Sequence, residues 1–143
     1  MRRTLRRQLV VAVAVLGTSV AVVRAAATDG RFVSTGGSIQ DTVTRLEWQP
    51  DAGSFAWSTS LCVGAPPWRL PSVEELETLV DERATTGPRV DAIFSGTTAE
   101  AYWTSTVKAG GGTPSAWTVN FSTGAVDTAA QTGSLRVKCV KAF

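Results

Sequence analysis

The spacing of apolar and polar residues predicts short strands near both ends of the chain and helices between them. Residues 39–49 are rich in β-branched side chains with a polar break, which predicts two short strands around a turn. Residues 116–121 alternate between apolar and polar side chains, the pattern of a strand with one buried face. In residues 135–140 the same alternation predicts a strand in which Arg136 and Lys138 face solvent. The further predicted strands are 31–33, 102–107 and 125–128.

Two helices are predicted in the middle of the chain. Residues 55–63 form the first, with Ser54 as its N-cap. The second follows Pro71, because Ser72 and Glu75 have the spacing of a capping box, in which each side chain bonds a free amide. Strands, then helices, then a run of strands is the order of an α+β domain. The apolar residues at helical spacing in the second helix are Val73, Leu76, Leu79 and Val80.

Residues 1–27 have the layout of a secretory signal peptide. A basic segment precedes an apolar stretch over 9–23, and small residues at 25–27 suit cleavage after Ala27. The apolar stretch is shorter than the roughly 20 residues that span a bilayer, and an uncleaved anchor is the second interpretation. The sequence thus predicts a domain at 28–143 in the periplasm, at the cell surface or secreted, with membrane contact only through the transient signal.

Composition limits the chemistry of this domain. The chain contains no histidine, which excludes Ser-His-Asp hydrolysis, imidazole zinc sites and histidine pH switches. Five of the 14 basic residues precede residue 28, so residues 28–143 hold 9 basic and 12 acidic side chains. The resulting net charge of −3 argues against a nucleic-acid partner. Cys62 and Cys139 predict one disulfide in an exported chain, with two unrelated buried thiols as the alternative.

The segment 68–76, with the letters WRLPSVEEL, resembles the signature of a family of bacterial exported domains. The family is named after the C-terminal domain of the Legionella collagen-like adhesin. Its other motifs follow in the same order, and the resemblance covers residues 29–143. Arg45 departs from the pattern, because the family usually has glycine there. The other matching segments are TRLEWQ at 44–49, VDAIF at 90–94, YWTST at 102–106, WTVNF at 117–121 and VKCV at 137–140.

The resemblance implies an α+β domain with a fold like that of C-type lectins or formylglycine-generating enzymes. Two helices would pack on a twisted antiparallel sheet, and the two cysteines would be paired. Trp68 would lie between helix and sheet, and Arg69 would bond loop carbonyls or an aspartate, either Asp81 or Asp91. These signature residues are expected to hold the fold rather than contact a ligand. They are Trp68, Arg69, Leu70, Pro71 and Glu75.

The family is mostly of unknown function, and its exported context favours a non-catalytic binding or adhesion domain. The expected ligand is a polysaccharide or another cell-envelope polymer. The alternative is a structural or protein-interaction domain of the cell envelope. A formylglycine-generating-like or carboxylate enzyme is disfavoured, because the cysteines are taken up by the bridge and no second clustered carboxylate pair is present. No cofactor or metal is expected, and the oligomeric state does not follow from the sequence.

Aromatic side chains of the predicted sheet are the candidate ligand contacts, because tryptophan and tyrosine rings stack on sugar faces when they are exposed. Polar neighbours would hydrogen-bond the sugar hydroxyls. Arg136 and Lys138 would either meet an acidic polymer or simply be solvated. The calcium-binding motifs of true C-type lectins are missing from the sequence. The candidates for ligand binding are Tyr102, Trp103, Ser105, Trp117 and Asn120.

Overall fold

Two β-sheets and one short helix form the part of the chain that the computed structural model describes, residues 30–62 and 67–143. The expected signal peptide, residues 1–27, lies outside the described residues. Within the described ranges, no helix is long and apolar enough to cross a membrane. In chain order the elements are β1 (Phe32–Thr35), β2 (Ser38–Asp41), β3 (Leu46–Trp48), β4 (Ser54–Ala56), α1 (Val73–Glu77), β5 (Ala101–Val107), β6 (Ser115–Asn120), β7 (Val126–Ala130), β8 (Ser134–Arg136) and β9 (Val140–Ala142).

The strands are shared between a four-stranded and a five-stranded sheet. The four-stranded sheet has the order β1-β2-β3-β9, and all its neighbours are antiparallel. The five-stranded sheet has the order β4-β8-β5-β6-β7. Its neighbours are antiparallel except β5 and β8, which meet in parallel at Tyr102 and Arg136. Because β3 pairs with β9 and β4 with β8, each sheet joins an early strand to a late one.

The expected α+β arrangement, with two helices packed on a twisted antiparallel sheet, is wrong, because the protein is mostly β-structure. Residues 55–62, the described part of the first expected helix, are not helical: Ser54–Ala56 is strand β4, and turns follow it up to Cys62. Serine and threonine are frequent in this segment, and their hydroxyls compete with helical backbone hydrogen bonds. The amide of Trp57 donates instead to the carbonyl of Gln131 (3.0 Å), which ties the segment to the five-stranded sheet.

The second expected helix is present, but it is short. Its capping box forms as predicted, since Ser72 Oγ accepts the amide of Glu75 (3.2 Å) and the Glu75 carboxylate accepts the amide of Ser72 (2.8 Å). The helix ends at Glu77 after five residues, and Leu79 is buried just beyond it. The apolar spacing therefore identified residues that are buried in the protein, but it did not show where the helix ends, because Leu79 is buried after the last helical residue.

The predicted strand at 135–140 is two strands in different sheets. β8 ends at Arg136 and β9 begins at Val140, so the chain changes sheets between these residues. The alternation of inward and outward side chains does not continue through such a change. Lys138 was predicted to face solvent, but it is 1% exposed and points into the protein.

Two apolar clusters fill the interior. The larger cluster lies between the sheets and includes Trp48 from the four-stranded sheet, Leu76 from α1 and Phe121, which directly follows β6. The smaller cluster contains Trp103 and Cys139, and Trp57, Trp68 and Leu61 are among the partly buried residues that pack against it. The disulfide thus lies in an apolar environment of its own, separate from the main core.

Cys62 and Cys139 form the disulfide that the resemblance implied. Their Cα atoms are 5.5 Å apart, and they are separated by 77 residues in the chain. The bond joins the turn after β4 to the segment in which the chain changes sheets. It therefore restricts the relative position of the two halves of the chain in the unfolded state.

Replacing both cysteines, Cys62→Ala with Cys139→Ala, should lower the free energy of unfolding by about 4 kcal/mol. The reason is that a crosslink of this span reduces the conformational entropy of the unfolded chain, and the double variant recovers that entropy. Urea denaturation of residues 28–143, compared with the oxidised parent protein, measures this loss. A loss below about 1 kcal/mol would contradict the assigned role of the bond.

The turn between β2 and β3 is organised by a buried carboxylate. Asp41 is fully buried, and Arg31 donates to both of its oxygens, at 3.0 and 2.6 Å. Oδ1 also accepts the amides of Val43 (3.0 Å) and Thr44 (3.3 Å). Burial alone would raise the pKa of Asp41, but the bond from Arg31 and those within the turn outweigh burial and lower the pKa.

The lowered pKa predicts an acid-sensitive contribution to stability. A carboxylate whose folded pKa lies below its unfolded value stabilises the fold above about pH 4, and this stability is lost as the pH falls through the folded pKa. Asp41→Asn keeps the acceptor for the turn amides but loses the ion pair, so it should cost about 2 kcal/mol near pH 7 and less near pH 2.5. Urea denaturation at both pH values checks this expectation, and a cost that does not change with pH would argue against it.

Candidate functional site

Two of the five candidate ligand contacts lie in the protein interior. Tyr102 and Trp103 are both 0% exposed and belong to different apolar clusters. The Tyr102 ring packs beside Phe121, with ring centroids 4.9 Å apart, and the Trp103 indole N–H donates to the carbonyl of Phe55 (2.9 Å). Sugar stacking requires an exposed ring. Neither ring is exposed, so Tyr102 and Trp103 are both core residues.

The other three candidates are partly accessible, but the structure does not bring them into one site. Ser105 is exposed, and its amide and hydroxyl both donate to the carbonyl of Pro71, at 2.7 and 3.1 Å. This contact ties β5 to the turn before α1. Trp117 and Val119 share one face of β6, whereas Asn120 lies on the opposite face and lines a groove.

The signature residues hold the turn that leads into α1. Leu70 and Pro71 are buried, and Trp68 is half-buried against the smaller apolar cluster. The Arg69 guanidinium makes a bidentate pair with the Glu75 carboxylate, at 2.7 and 2.6 Å, and donates to the carbonyl of Leu70 (3.2 Å). The bond from Arg69 lowers the pKa of Glu75. Arg69 thus pairs with the capping-box glutamate rather than with either of the aspartates that the sequence offered.

A buried ionic cluster of Asp51, Tyr102, Arg136 and Lys138 lies beside the larger apolar cluster. Lys138 Nζ is 2.9 Å from Asp51 Oδ1. Arg136 Nη2 is 3.2 Å from Asp51 Oδ2, and the Tyr102 hydroxyl donates to the same oxygen. The exposed fraction of the side chain is 2% for Lys138 and 10% for Asp51. Two cations and a hydroxyl therefore converge on one shielded carboxylate.

Burial in the ionic cluster changes the proton affinity of Lys138 and Tyr102. Burial lowers the pKa of Lys138 against the opposing effect of Asp51. Burial also raises the pKa of Tyr102, and the bond to Asp51 raises it further. Shifted pKa values occur at active sites and in structural ion pairs alike. Here the charged groups face one another inside the protein, which is the arrangement of a structural ion-pair cluster.

A groove crosses the face of the five-stranded sheet that also carries Trp103. Strand pairing sets Ala101 opposite Asn120 and Trp103 opposite Thr118, so these residues share one face of β5 and β6. Small side chains leave space there, and polar side chains surround it. This sheet groove is lined by Ala101, Thr118, Asn120, Thr123, Ala125, Asp127, Thr128, Ala129 and Leu135, and it adjoins a depression with Glu100 and Arg136.

Asn120 is fixed at the groove by the turn that follows β6. Its Oδ1 accepts the amide of Ser122 (2.8 Å), and its carbonyl accepts the amide of Gly124 (2.7 Å). Gly124 has φ +78, a conformation that favours glycine. The side-chain NH₂ group of Asn120 takes no part in these turn bonds and is a donor at the groove.

Sequence reasoning missed most of the groove and the whole ionic cluster. No pattern in the sequence distinguishes Asp51, and the alternation in residues 135–140 assigns Lys138 to solvent because it does not show the change of sheet. The alanines of the groove carry no chemical signal of their own. The alternating pattern in residues 116–121 did indicate that Thr118 and Asn120 face away from the core, and this signal led to one true groove residue among the candidates.

Fold and groove together define a small β-rich domain, closed by one disulfide and offering a polar sheet surface. The chain matches the Lcl C-terminal domain family over residues 37–141, and it belongs to that family. The family assignment confirms the resemblance that the signature motifs indicated. Searches of curated proteins and of solved structures found no match.

The ionic cluster predicts an asymmetry between two substitutions. Asp51→Asn leaves Lys138 buried without a carboxylate and should cost about 3 kcal/mol of unfolding free energy. Lys138→Met removes the buried ammonium and leaves Asp51 with Arg136 and Tyr102, so its cost should be about 1 kcal/mol or less. Urea denaturation of both variants measures the difference. Equal costs would show that the cluster does not centre on Asp51.

Proposed function

We propose that this chain is a non-catalytic, exported binding domain that takes a polysaccharide along the sheet groove. The observation that carries this proposal is the lining of the groove, where hydroxyl, amide and carboxylate groups surround a floor of alanines. Sugar hydroxyls both donate and accept hydrogen bonds, so a mixed lining of this kind suits them. The alanines allow a polymer chain to approach the sheet closely.

The distribution of polar groups supports a ligand with many hydroxyls. The Asn120 side chain offers a donor, and Asp127 is exposed and offers an acceptor. Thr123 contributes a hydroxyl on the same surface. Phe55 is 45% exposed in the neighbouring edge strand β4, where a sugar C–H face could stack on its ring.

Binding without catalysis is supported by the placement of the reactive groups. The two cysteines are joined in the disulfide. Tyr102, whose pKa is raised by burial, and Lys138, whose pKa is lowered by burial, lie inside the protein in the ionic cluster. Glu100, at the end of the groove, lies 3.3 Å from Arg136 Nε and is held in an ion pair. The polar groups that line the groove are hydroxyl, amide and carboxylate groups, which suit ligand recognition by hydrogen bonds.

A bulky residue in the groove tests the proposal. Residues 28–143 would be titrated calorimetrically with neutral and acidic polysaccharides, after a glycan array has selected the binders. Ala125→Trp fills the groove at an exposed position and should weaken binding at least tenfold, because the polymer can no longer contact the sheet. Ala109→Trp is the matched control, since Ala109 is exposed in the loop between β5 and β6.

Saturable binding that survives Ala109→Trp but not Ala125→Trp supports the proposal. Equal effects of the two substitutions would place the polymer elsewhere on the domain. If no polysaccharide binds and an envelope protein co-purifies with the domain instead, the polysaccharide proposal is overturned in favour of a protein-interaction role.

A further inference from the structure

The hairpin of β1 and β2, the segment after β3 and residues 93–95 line a cavity of about 200 Å³. We call it the hairpin cavity. It shares no lining residue with the sheet groove or with the depression beside the groove. One water molecule needs only about 10–15 Å³ of such space. The hairpin cavity therefore has room for a small organic molecule such as a monosaccharide.

Lys138 lies at the inner end of the hairpin cavity. Its side chain is 2% exposed, and its Nζ atom lies 3.5 Å from the carbonyl oxygen of Gln49 and 5.7 Å from the centroid of the Phe94 ring. Gln49 and Phe94 line the cavity as well. The ammonium group, and not only the aliphatic stem, is thus close to the walls of the cavity.

The ammonium group of Lys138 has a hydrogen bond left to donate. Such a group can donate three hydrogen bonds. In the described part of the chain its oxygen contacts are two, with Asp51 Oδ1 at 2.9 Å and with the Gln49 carbonyl at 3.5 Å. A buried donor without an acceptor destabilises a protein, so an acceptor that enters the cavity would be bound favourably.

Three further polar side chains line the hairpin cavity from different segments. Ser34 belongs to β1, Gln49 follows β3, and Ser95 follows Phe94. No group in the described residues forms a hydrogen bond with the two hydroxyls or with the side-chain amide of Gln49. Hydroxyl and amide groups both donate and accept hydrogen bonds. A ligand would therefore find polar partners on several sides of the cavity.

Other walls of the hairpin cavity are apolar. Ile39 and Ile93 are partly exposed, and Phe94 is buried beside Lys138. Binding pockets commonly combine apolar walls with a few well-placed polar groups. The C–H face of a sugar ring packs on apolar side chains while its hydroxyls form hydrogen bonds. The lining thus suits a molecule that is apolar on its faces and polar around its edge.

The charge of the cavity narrows the choice of ligand. Asp51 already balances the charge of Lys138. A ligand carboxylate would lie close to the Asp51 carboxylate, and a ligand cation would lie close to the Lys138 ammonium group, so a charge of either sign is opposed. A wholly apolar ligand would leave the ammonium group and the Gln49 amide without partners. A neutral molecule with several hydroxyl groups has none of these disadvantages.

We infer that the hairpin cavity binds a single neutral sugar unit, either a free monosaccharide or the end of a glycan chain. One sugar oxygen would accept the remaining hydrogen bond of Lys138, and other hydroxyls would bond Ser34, Gln49 and Ser95 nearer to solvent. Binding should be weak, in the millimolar range, because one sugar unit offers few contacts. The inference does not rest on the proposed function, because the cavity and the groove are separate.

Residues 28–143, which contain every described element, would be titrated with D-glucose, D-galactose and D-mannose while amide NMR signals are recorded. At least one of these sugars should shift the signals of residues that line the cavity, and the shifts should saturate. The uronic acid and the amino sugar derived from the best ligand should bind about tenfold more weakly, because each brings an unbalanced charge. A disaccharide that ends in the same unit distinguishes the sources. Its binding would identify chain ends and its exclusion would identify the free sugar, and both results support the inference.

Substitutions separate the cavity from the fold. Lys138→Met removes the buried donor at a small expected cost in stability, so it should weaken sugar binding about tenfold while the protein remains folded. Ser95→Trp fills the exposed mouth of the cavity and should abolish binding. The matched control is Ser122→Trp, since Ser122 is exposed after β6 and lines neither the cavity nor the groove. This control should bind the sugar like the parent protein.

The outcomes decide for or against the cavity. Loss of binding in Lys138→Met and Ser95→Trp with retention in Ser122→Trp supports the inference. No saturable shift with any of the three sugars, equal losses in the cavity and control variants, or tighter binding of the uronic acid than of the neutral sugar would overturn it. Ala125→Trp, which fills the sheet groove, should leave the shifts unchanged. The polysaccharide proposal can therefore fail while this inference holds, and the reverse.

Discussion

The segment 137–139 is the constraint on which the structure depends, because both sheets, the disulfide and the ionic cluster meet there. Gln49 donates to the carbonyl of Cys139 (3.0 Å), and Val137 exchanges backbone bonds with the segment after β3. Cys139 adds the covalent link to Cys62, and Lys138 adds the ion pair to Asp51. Three kinds of interaction therefore fix the place where the chain passes from one sheet to the other.

The parts of the fold that follow from local pattern were predictable, and those that follow from tertiary pairing were not. The capping box at Ser72 and the strands around the β2–β3 turn depend on neighbouring residues and were found. The length of α1 was not, because Leu79 continues the helical spacing although the chain has left the helix. The sequence pattern predicts a helix where strand β4 lies, since three residues that pair with a distant strand carry little periodic signal.

The same division applies to the candidate site. Alternation shows which side chains share a face, but it does not show which face another segment covers. Trp103 shares its face with the groove residue Thr118, yet Trp103 is buried where the β4 segment lies against it. The aromatic candidates Tyr102 and Trp103 are therefore core residues, whereas the polar candidate Asn120 lies at the surface. The disulfide was predictable because the two cysteines of a chain expected to be exported leave a single pairing, which the family resemblance also implied.

Net charge is a poor guide to where this domain can bind, and the reason lies in how its acids are used. Asp41, Glu47, Asp51 and Glu75 are all held in ion pairs by nearby cations, and the first three are shielded from solvent. An acid neutralised in this way contributes to the count of charges but little to the field outside the protein. Arg45 is presented by the turn that buried Asp41 organises, so the acid that lowers the overall charge also positions a cation at the surface.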